Sequence, residues 1–138
     1  MLLCPDASAL LAWLIRDQSS PSVSQFWGGL TSADELVAPA ILLAECTSAL
    51  RKRVFEGALR HEEAVALLGR ALALPIRISH APEQFILAME IANLTRRAKA
   101  YDMQYVALAE VEGGEIVTLD GGIRQAAVER RIPVRYLR

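Results

Sequence analysis

Apolar positions along the chain follow two rhythms that alternate from end to end. Short apolar runs at 2–5, 36–39, 116–119 and 134–137 have no regular polar face and read as strands buried on both sides. Ile76 and Ile78, alternating around Arg77, make a fifth, smaller strand. Between these runs the apolar residues recur at helical spacing. Ser8 is placed to cap a helix through Trp13 and Ile15, and Ser20-Pro21 starts another through Phe26 and Trp27 that Gly28-Gly29 stops. Longer helices are expected over 41–55, ended by Gly57, and over 62–74, closed by Pro75. A further one runs from Pro82 to about Arg97. Asp102 opens an apolar helix (Tyr105, Val106, Leu108, Ala109, Val111) that the Gly113-Gly114 turn ends, and a last helix spans 123–131. Strands alternating with helices predict an α/β fold, a three-layer α/β/α sandwich on a mainly parallel sheet of five strands.

Acidic residues interrupt this apolar pattern at four informative places. Asp6 ends the first strand, and Asp120 follows the strand after Gly113-Gly114. Asp102 begins the helix leading into that strand. Glu45 lies inside its helix with Ile41, Leu42, Ser48 and Ala49 as its neighbours three and four residues away, on the apolar stripe. Open parallel sheets place their ligand crevice beyond the carboxyl ends of the strands. If the first and fourth strands are neighbours, these carboxylates crowd, and crowded carboxylates demand either a proton or a cation. An all-oxygen donor set suits Mg²⁺ or Mn²⁺. His61 and His80 are the two histidines, and neither stands near a cysteine or a second histidine at zinc-ligand spacing. Metal-assisted phosphodiester hydrolysis is the reaction class this predicts. Taken singly, each acid has a plainer role: a helix cap for Asp102, a turn for Asp120, an arginine ion pair for Asp6 and Glu45.

Taken together, the blocks are specific. Pro5-Asp6-Ala7-Ser8-Ala9-Leu10-Leu11, Ala44-Glu45, the block from Tyr101-Asp102 through Tyr105 to Ala107-Leu108-Ala109-Glu110, and Val117-Thr118-Leu119-Asp120 resemble the PIN domain. More narrowly they are similar to the VapC toxins of bacterial toxin–antitoxin pairs. The resemblance spans the chain as one domain, 1–138, and implies a sheet order of 3-2-1-4-5. It implies an acidic pocket of Asp6, Glu45, Asp102 and Asp120 in a ribonuclease, with Asp6, Asp102 and Asp120 holding Mg²⁺ or Mn²⁺ and Ser8 and Thr118 as supporting hydroxyls. Cys4-Pro5, Met103-Gln104 and Gly122 depart from the family's usual residues; Gly122 stands where some relatives are polar or charged.

The net charge is −1, so RNA binding requires local basic patches rather than a global field. Arg96, Arg97 and Lys99 lie just ahead of Asp102, and Arg124 lies four residues beyond Asp120; these are the candidate phosphate contacts. Arg51-Lys52-Arg53 is another basic cluster, and Arg130-Arg131 reads as ordinary helix-terminal charge. Hydrophobic residues make up 53% of the chain, an excess that favours a covering partner or a second copy, hence a dimer. Trp13, Phe26, Trp27 and Phe55 read as core, while the resemblance adds a protein antitoxin laid across these early helices with a basic side chain entering the acidic pocket. Cys4 and Cys46 sit in apolar runs as free thiols, no charged segment and apolar run precede Cys4, and no apolar run reaches the roughly 18 residues a membrane span needs. A cytoplasmic protein is expected. Two rivals stand beside the nuclease: a catalytically silent binding module, and a Mg²⁺-dependent receiver or phosphatase-like domain, for which a second acid one or two residues after Asp6 would be usual, where Ala7 and Ser8 stand.

Overall fold

The computed structural model describes residues 1–15 and 20–138. Five strands form one sheet: β1 (Leu2–Pro5), β2 (Glu35–Pro39), β3 (Ile76–Ser79), β4 (Glu115–Thr118) and β5 (Val134–Tyr136), in the order β3-β2-β1-β4-β5, all parallel. Among the described residues seven helices connect them: α1 (Ala7–Leu14), α2 (Pro21–Gly28), α3 (Ile41–Phe55), α4 (His61–Leu72), α5 (Pro82–Leu94), α6 (Met103–Glu112) and α7 (Gly121–Glu129). The expected sheet order is the observed one. α1 packs on β1 and β4 with α3 and α4 behind it, while α6 lies against β1, β2 and β4 and carries α5 and α7. Leu3, Cys4, Val37, Ala38, Ile116 and Val117 are consequently buried on successive positions of the three inner strands, which is why those runs show no polar alternation.

β1 is the central strand, and its register with β4 pairs Pro5 with Val117. Proline has no amide hydrogen to give the ladder, so it falls on the last position of β1, and the next amide, Asp6 N–H, donates to the Val117 carbonyl at 3.0 Å. This pairing places the residue after β1 beside the last residues of β4. Gly113 ends α6 in the left-handed region at φ 74°, a conformation open to glycine at no steric cost, and turns the chain into β4.

Three local expectations differ from the structure. α1 is capped by Asp6, whose Oδ1 accepts from Ala9 N–H at 2.9 Å; Ser8 lies within the first turn and donates to Asp6 instead. α4 stops at Leu72. α5 stops at Leu94 rather than near Arg97, although no glycine marks the spot. Arg97 N–H donates to Ala92 O at 2.8 Å and Arg96 N–H to Asn93 O at 3.3 Å, the paired bonds of a Schellman ending, with Arg96 itself at φ +57°. A non-glycine residue held there costs on the order of 1 kcal/mol. Arg96→Gly is therefore expected to stabilise the fold by about 0.5–1 kcal/mol, read as a raised denaturation midpoint. A lowered midpoint would show that the Arg96 side chain makes a stabilising contact.

Candidate metal-dependent active site

The acids are brought together by the strand order. Asp6 leaves the end of β1 and is 1% exposed, and Thr118 closes the neighbouring β4 and is fully buried. A pair of hydroxyls ties the two strand ends. Thr118 Oγ1 donates to Asp6 Oδ2 and accepts from Asp120 N–H at 2.8 Å. Ser8 Oγ donates to Asp6 Oδ1 at 2.6 Å and accepts from Leu119 N–H at 2.9 Å. Ser8 and Thr118 thus hold Asp6 in one orientation and set the turn that carries Asp120.

Asp120 caps α7, Oδ1 accepting from Ile123 N–H at 2.9 Å, so its turn-and-cap role is real and occupies one of its two oxygens. Asp102 behaves differently. It stands at the start of α6 with helical backbone angles, and its side chain caps nothing. Glu45, on α3, accepts from the buried Tyr105 hydroxyl at 2.7 Å. Tyr105 lies three residues beyond Asp102, so a single turn of α6 presents one carboxylate and steadies a second. Tyr105 reads in the sequence as part of an apolar run and of the PIN-like block, with no role of its own; its hydrogen bond to Glu45 depends on α3 and α6 meeting.

The electrostatics link all four acids. Asp6, Glu45 and Asp102 each have a carboxyl pushed above its usual range, by burial first. Hydrogen bonds from Ser8, Thr118 and the Ala9 amide partly offset this at Asp6, and the Tyr105 hydroxyl does so at Glu45. The remainder is mutual repulsion: Asp120 acts on Asp6, Asp102 and Glu45, while Asp102 and Asp6 also act on Glu45. Among the described residues no lysine or arginine forms an ion pair with Asp6 or Glu45, so the arginine-pair alternative fails for both. The receiver alternative lacks its usual second acid, since Ala7 and Ser8 follow Asp6.

The candidate phosphate contacts separate. Arg97 reaches the pocket: its Nη2 donates to Gly122 O at 2.6 Å, and its charge lowers the Asp102 carboxyl against the repulsion of Asp120. Lys99 lines a groove of about 470 Å³ together with Glu45, Asp102 and Tyr101. A second cavity of about 520 Å³ shares Lys99, Tyr101 and Ile41 with that groove and extends under Phe85. Arg96 is exposed. Arg124 sits over the Tyr136 ring at 4.8 Å. Of the remaining basic residues, Arg130 holds Glu110 through two contacts of 2.6 and 2.8 Å, a purely structural use. The aromatic residues divide too. Phe26 and Trp27 are buried, with Trp27 stacked on Trp13 at 5.1 Å, but Phe55 is 80% exposed beneath Arg51 and is not core.

A family model for the PIN domain matches residues 3–129. The chain belongs to the PIN-domain family. It is 30% identical over 126 residues to ribonuclease VapC3 of Pyrobaculum aerophilum, a match covering 87% of this chain and 90% of that one. The fold matches VapBC2 of Rickettsia felis, solved bound to a promoter DNA fragment, with a TM-score of 0.77, 12% identity and complete coverage of both chains. It also matches VapC20 of Mycobacterium tuberculosis, a sarcin–ricin loop cleaving toxin, with a TM-score of 0.68, 19% identity and coverage of 90% of this chain and 94% of that one. The 3-2-1-4-5 frame delivers Asp6 and Asp120 to the same end of the sheet.

The donor set fits a hard divalent ion. Every candidate ligand is a carboxylate oxygen, and the groups repel one another without an intervening basic partner for Asp6 or Glu45. Among the described residues no three acid, histidine or cysteine side chains close into a ready cage. Mg²⁺ does not need one, since it keeps several waters and binds through one or two carboxylates.

Proposed function

We propose that this PIN-domain protein is a divalent-metal-dependent endoribonuclease, the toxin of a toxin–antitoxin pair. What supports this reading is that Asp6, Glu45 and Asp102, from β1, α3 and α6, are each raised first by burial and further by the charge of Asp120 on the β4–α7 turn, so the four lie within electrostatic reach of one another. Asp6, Asp102 and Asp120 would hold Mg²⁺ or Mn²⁺, directly or through the waters such an ion keeps, with Ser8 and Thr118 fixing the orientation of Asp6. When bound, such an ion acidifies water in its shell and stabilises charge gathering on the phosphate. Glu45, half-buried and held by the Tyr105 hydroxyl, is the residue to accept the proton of the attacking water, and burial raises its carboxyl above the ordinary range, which strengthens it as a base. Tyr105 holds that carboxylate in place. Attack at phosphorus breaks the bond from phosphorus to the leaving oxygen, which takes up a proton from solvent as Glu45 returns its own to solvent. Lys99, Arg96 and Arg124 supply phosphate contacts along the strand.

Support for a protein antitoxin comes from the VapBC structures of the same fold and from a groove of about 280 Å³ between α1, α3 and α4, lined by Leu14, Ile15, Leu59 and Leu67 with Arg53, Glu63 and Arg70 at its polar margin. Exposed Phe85, Ile86 and Met89 on α5 offer apolar cover for a second copy, giving a homodimer. No helix among the described residues is long and apolar enough to cross a membrane, and action on RNA in the cytoplasm is the corresponding expectation. The direct test is cleavage of structured RNA by the purified chain. Mg²⁺ or Mn²⁺ is expected to support it and a chelator to abolish it, with activity returning on re-addition of the ion. Cleavage indifferent to chelation would overturn the metal-dependent reading.

A further inference from the structure

Arg97 enters the acidic pocket by a route built from two unusual positions. The left-handed turn at Arg96 ends α5 and redirects the chain, and the Arg97 side chain then runs to α7, where Nη2 donates to Gly122 O. A Cβ added at Gly122 would lie 2.9 Å from Arg97 Nη1 and 3.1 Å from Asp120 Oδ1. Gly122 is not among the glycines with positive φ, so no backbone angle requires glycine there. Glycine at 122 leaves the space the guanidinium occupies next to Asp120, and a methyl group there would push the guanidinium aside.

That guanidinium is held but not neutralised. Among the described residues it forms no ion pair within 4.0 Å, and its Nε is buried without a hydrogen-bond partner. Arg130 also has an unpartnered Nε, but its Nη2 binds both oxygens of Glu110; Arg97 has a single carbonyl. A planar cation with free donors, fixed beside carboxylates that would themselves hold a divalent ion, makes a pocket with positive charge on two sides. The group that satisfies both is a phosphate whose oxygens face the ion on one side and a guanidinium fork on the other.

We propose that Arg97 is the phosphate ligand of this pocket, binding a non-bridging oxygen of the scissile phosphodiester, and that Gly122 is glycine in order to admit it. This rests on the nuclease reading and adds to it the group that meets charge developing on phosphorus. Arg97→Met is expected to lower kcat about 10²-fold, the usual loss when one preorganised donor to a transition state is removed. KM for RNA should change little, because Lys99 and Arg96 remain. Arg97→Lys keeps the charge without the fork and should recover only part of the loss. Gly122→Ala, displacing the guanidinium, should reproduce the Arg97→Met defect, and the double variant should be no worse than either single one.

Two readouts are independent of turnover. Inorganic phosphate should raise the melting temperature of the Mn²⁺-loaded wild type but not of Mn²⁺-loaded Arg97→Met. Mn²⁺ should bind Arg97→Met at least as tightly as wild type, since a like charge has gone. Wild-type kcat in Arg97→Met, or a loss of Mn²⁺ binding and melting temperature in step with activity, would overturn the proposal while leaving a metal nuclease standing. If wild type itself shows no Mn²⁺-dependent cleavage, the nuclease reading falls and the role of Arg97 falls with it.

Discussion

Asp102→Asn is expected to reduce RNA cleavage by about 10³-fold or more, equivalent to roughly 4 kcal/mol of transition-state stabilisation, while leaving the protein folded. The asymmetry between function and fold follows from what the side chain does. Asp102 caps nothing at the start of α6 and forms no ion pair among the described residues, so the amide breaks no structural contact. It does remove one of the charges that a divalent ion would neutralise. Because burial and Asp120 hold the Asp102 carboxyl above its usual range, charge at this position disfavours the metal-free fold at neutral pH. The variant should therefore melt at the wild-type temperature or above it without metal, and bind Mn²⁺ more weakly. An active site that costs stability is a familiar trade. Undiminished cleavage by Asp102→Asn would remove this residue from the active site and point to a contaminating nuclease. A collapsed melting temperature would mean that its carboxylate is structural after all.

The second large effect is on stability, through pH and metal together. The raised carboxyls of Asp6, Glu45 and Asp102 mean that the native state retains protons the unfolded chain has already released. Stability must then fall as pH rises from the ordinary carboxylate range, near 4, through the higher native values, and it stays low above them. Asp34 and Glu63 are lowered by their own hydrogen bonds and act in the opposite sense, but they lie near the surface where water screens them. A divalent ion replaces the missing protons. At a concentration one hundred times its Kd it adds about 2.7 kcal/mol, or about 8 °C at roughly 3 °C per kcal/mol for a chain of this size. Melting curves from pH 4.5 to 8 should therefore show a metal-free protein that weakens toward neutrality and a Mn²⁺ increment that appears only as the acids ionise. A Mn²⁺ increment of equal size at pH 4.5 and pH 7.5 would contradict the coupling, as would a metal-free protein that strengthens steadily up to neutrality.

Legibility from sequence was uneven for physical reasons. Asp6 could be placed at a strand end because Leu2-Leu3-Cys4 is apolar on both faces, and Asp120 because Ile116-Val117 is. Glu45 stood out because a carboxylate on the apolar stripe of a helix needs a reason to be there. The plain alternatives could be judged only against coordinates. Asp120 is a cap as well as a candidate ligand, Asp102 is no cap at all, and Asp6 caps α1 where Ser8 was expected to. The end of α5 was misread because Arg96 adopts a left-handed turn without the glycine that normally announces one. Phe55 reads as core from its apolar type alone, yet it stands at the last position of α3, 80% exposed with the Arg51 guanidinium over its ring.

By itself the order of residues determined the succession of strands and helices and the burial of the inner strands, because both depend on local periodicity, and it singled out four acids as candidates through the cost of burying charge. Tertiary structure alone decided that Thr118 and Ser8 clasp Asp6, that Tyr105 steadies Glu45, and that Arg97 occupies the space Gly122 leaves open. Those contacts join residues far apart along the chain, from Asp6 to Thr118 and from Arg97 to Gly122. Hydroxyl, phenol and guanidinium groups have many possible partners in a sequence, and the parallel 3-2-1-4-5 frame selects among them by bringing particular strand ends and helix ends within reach.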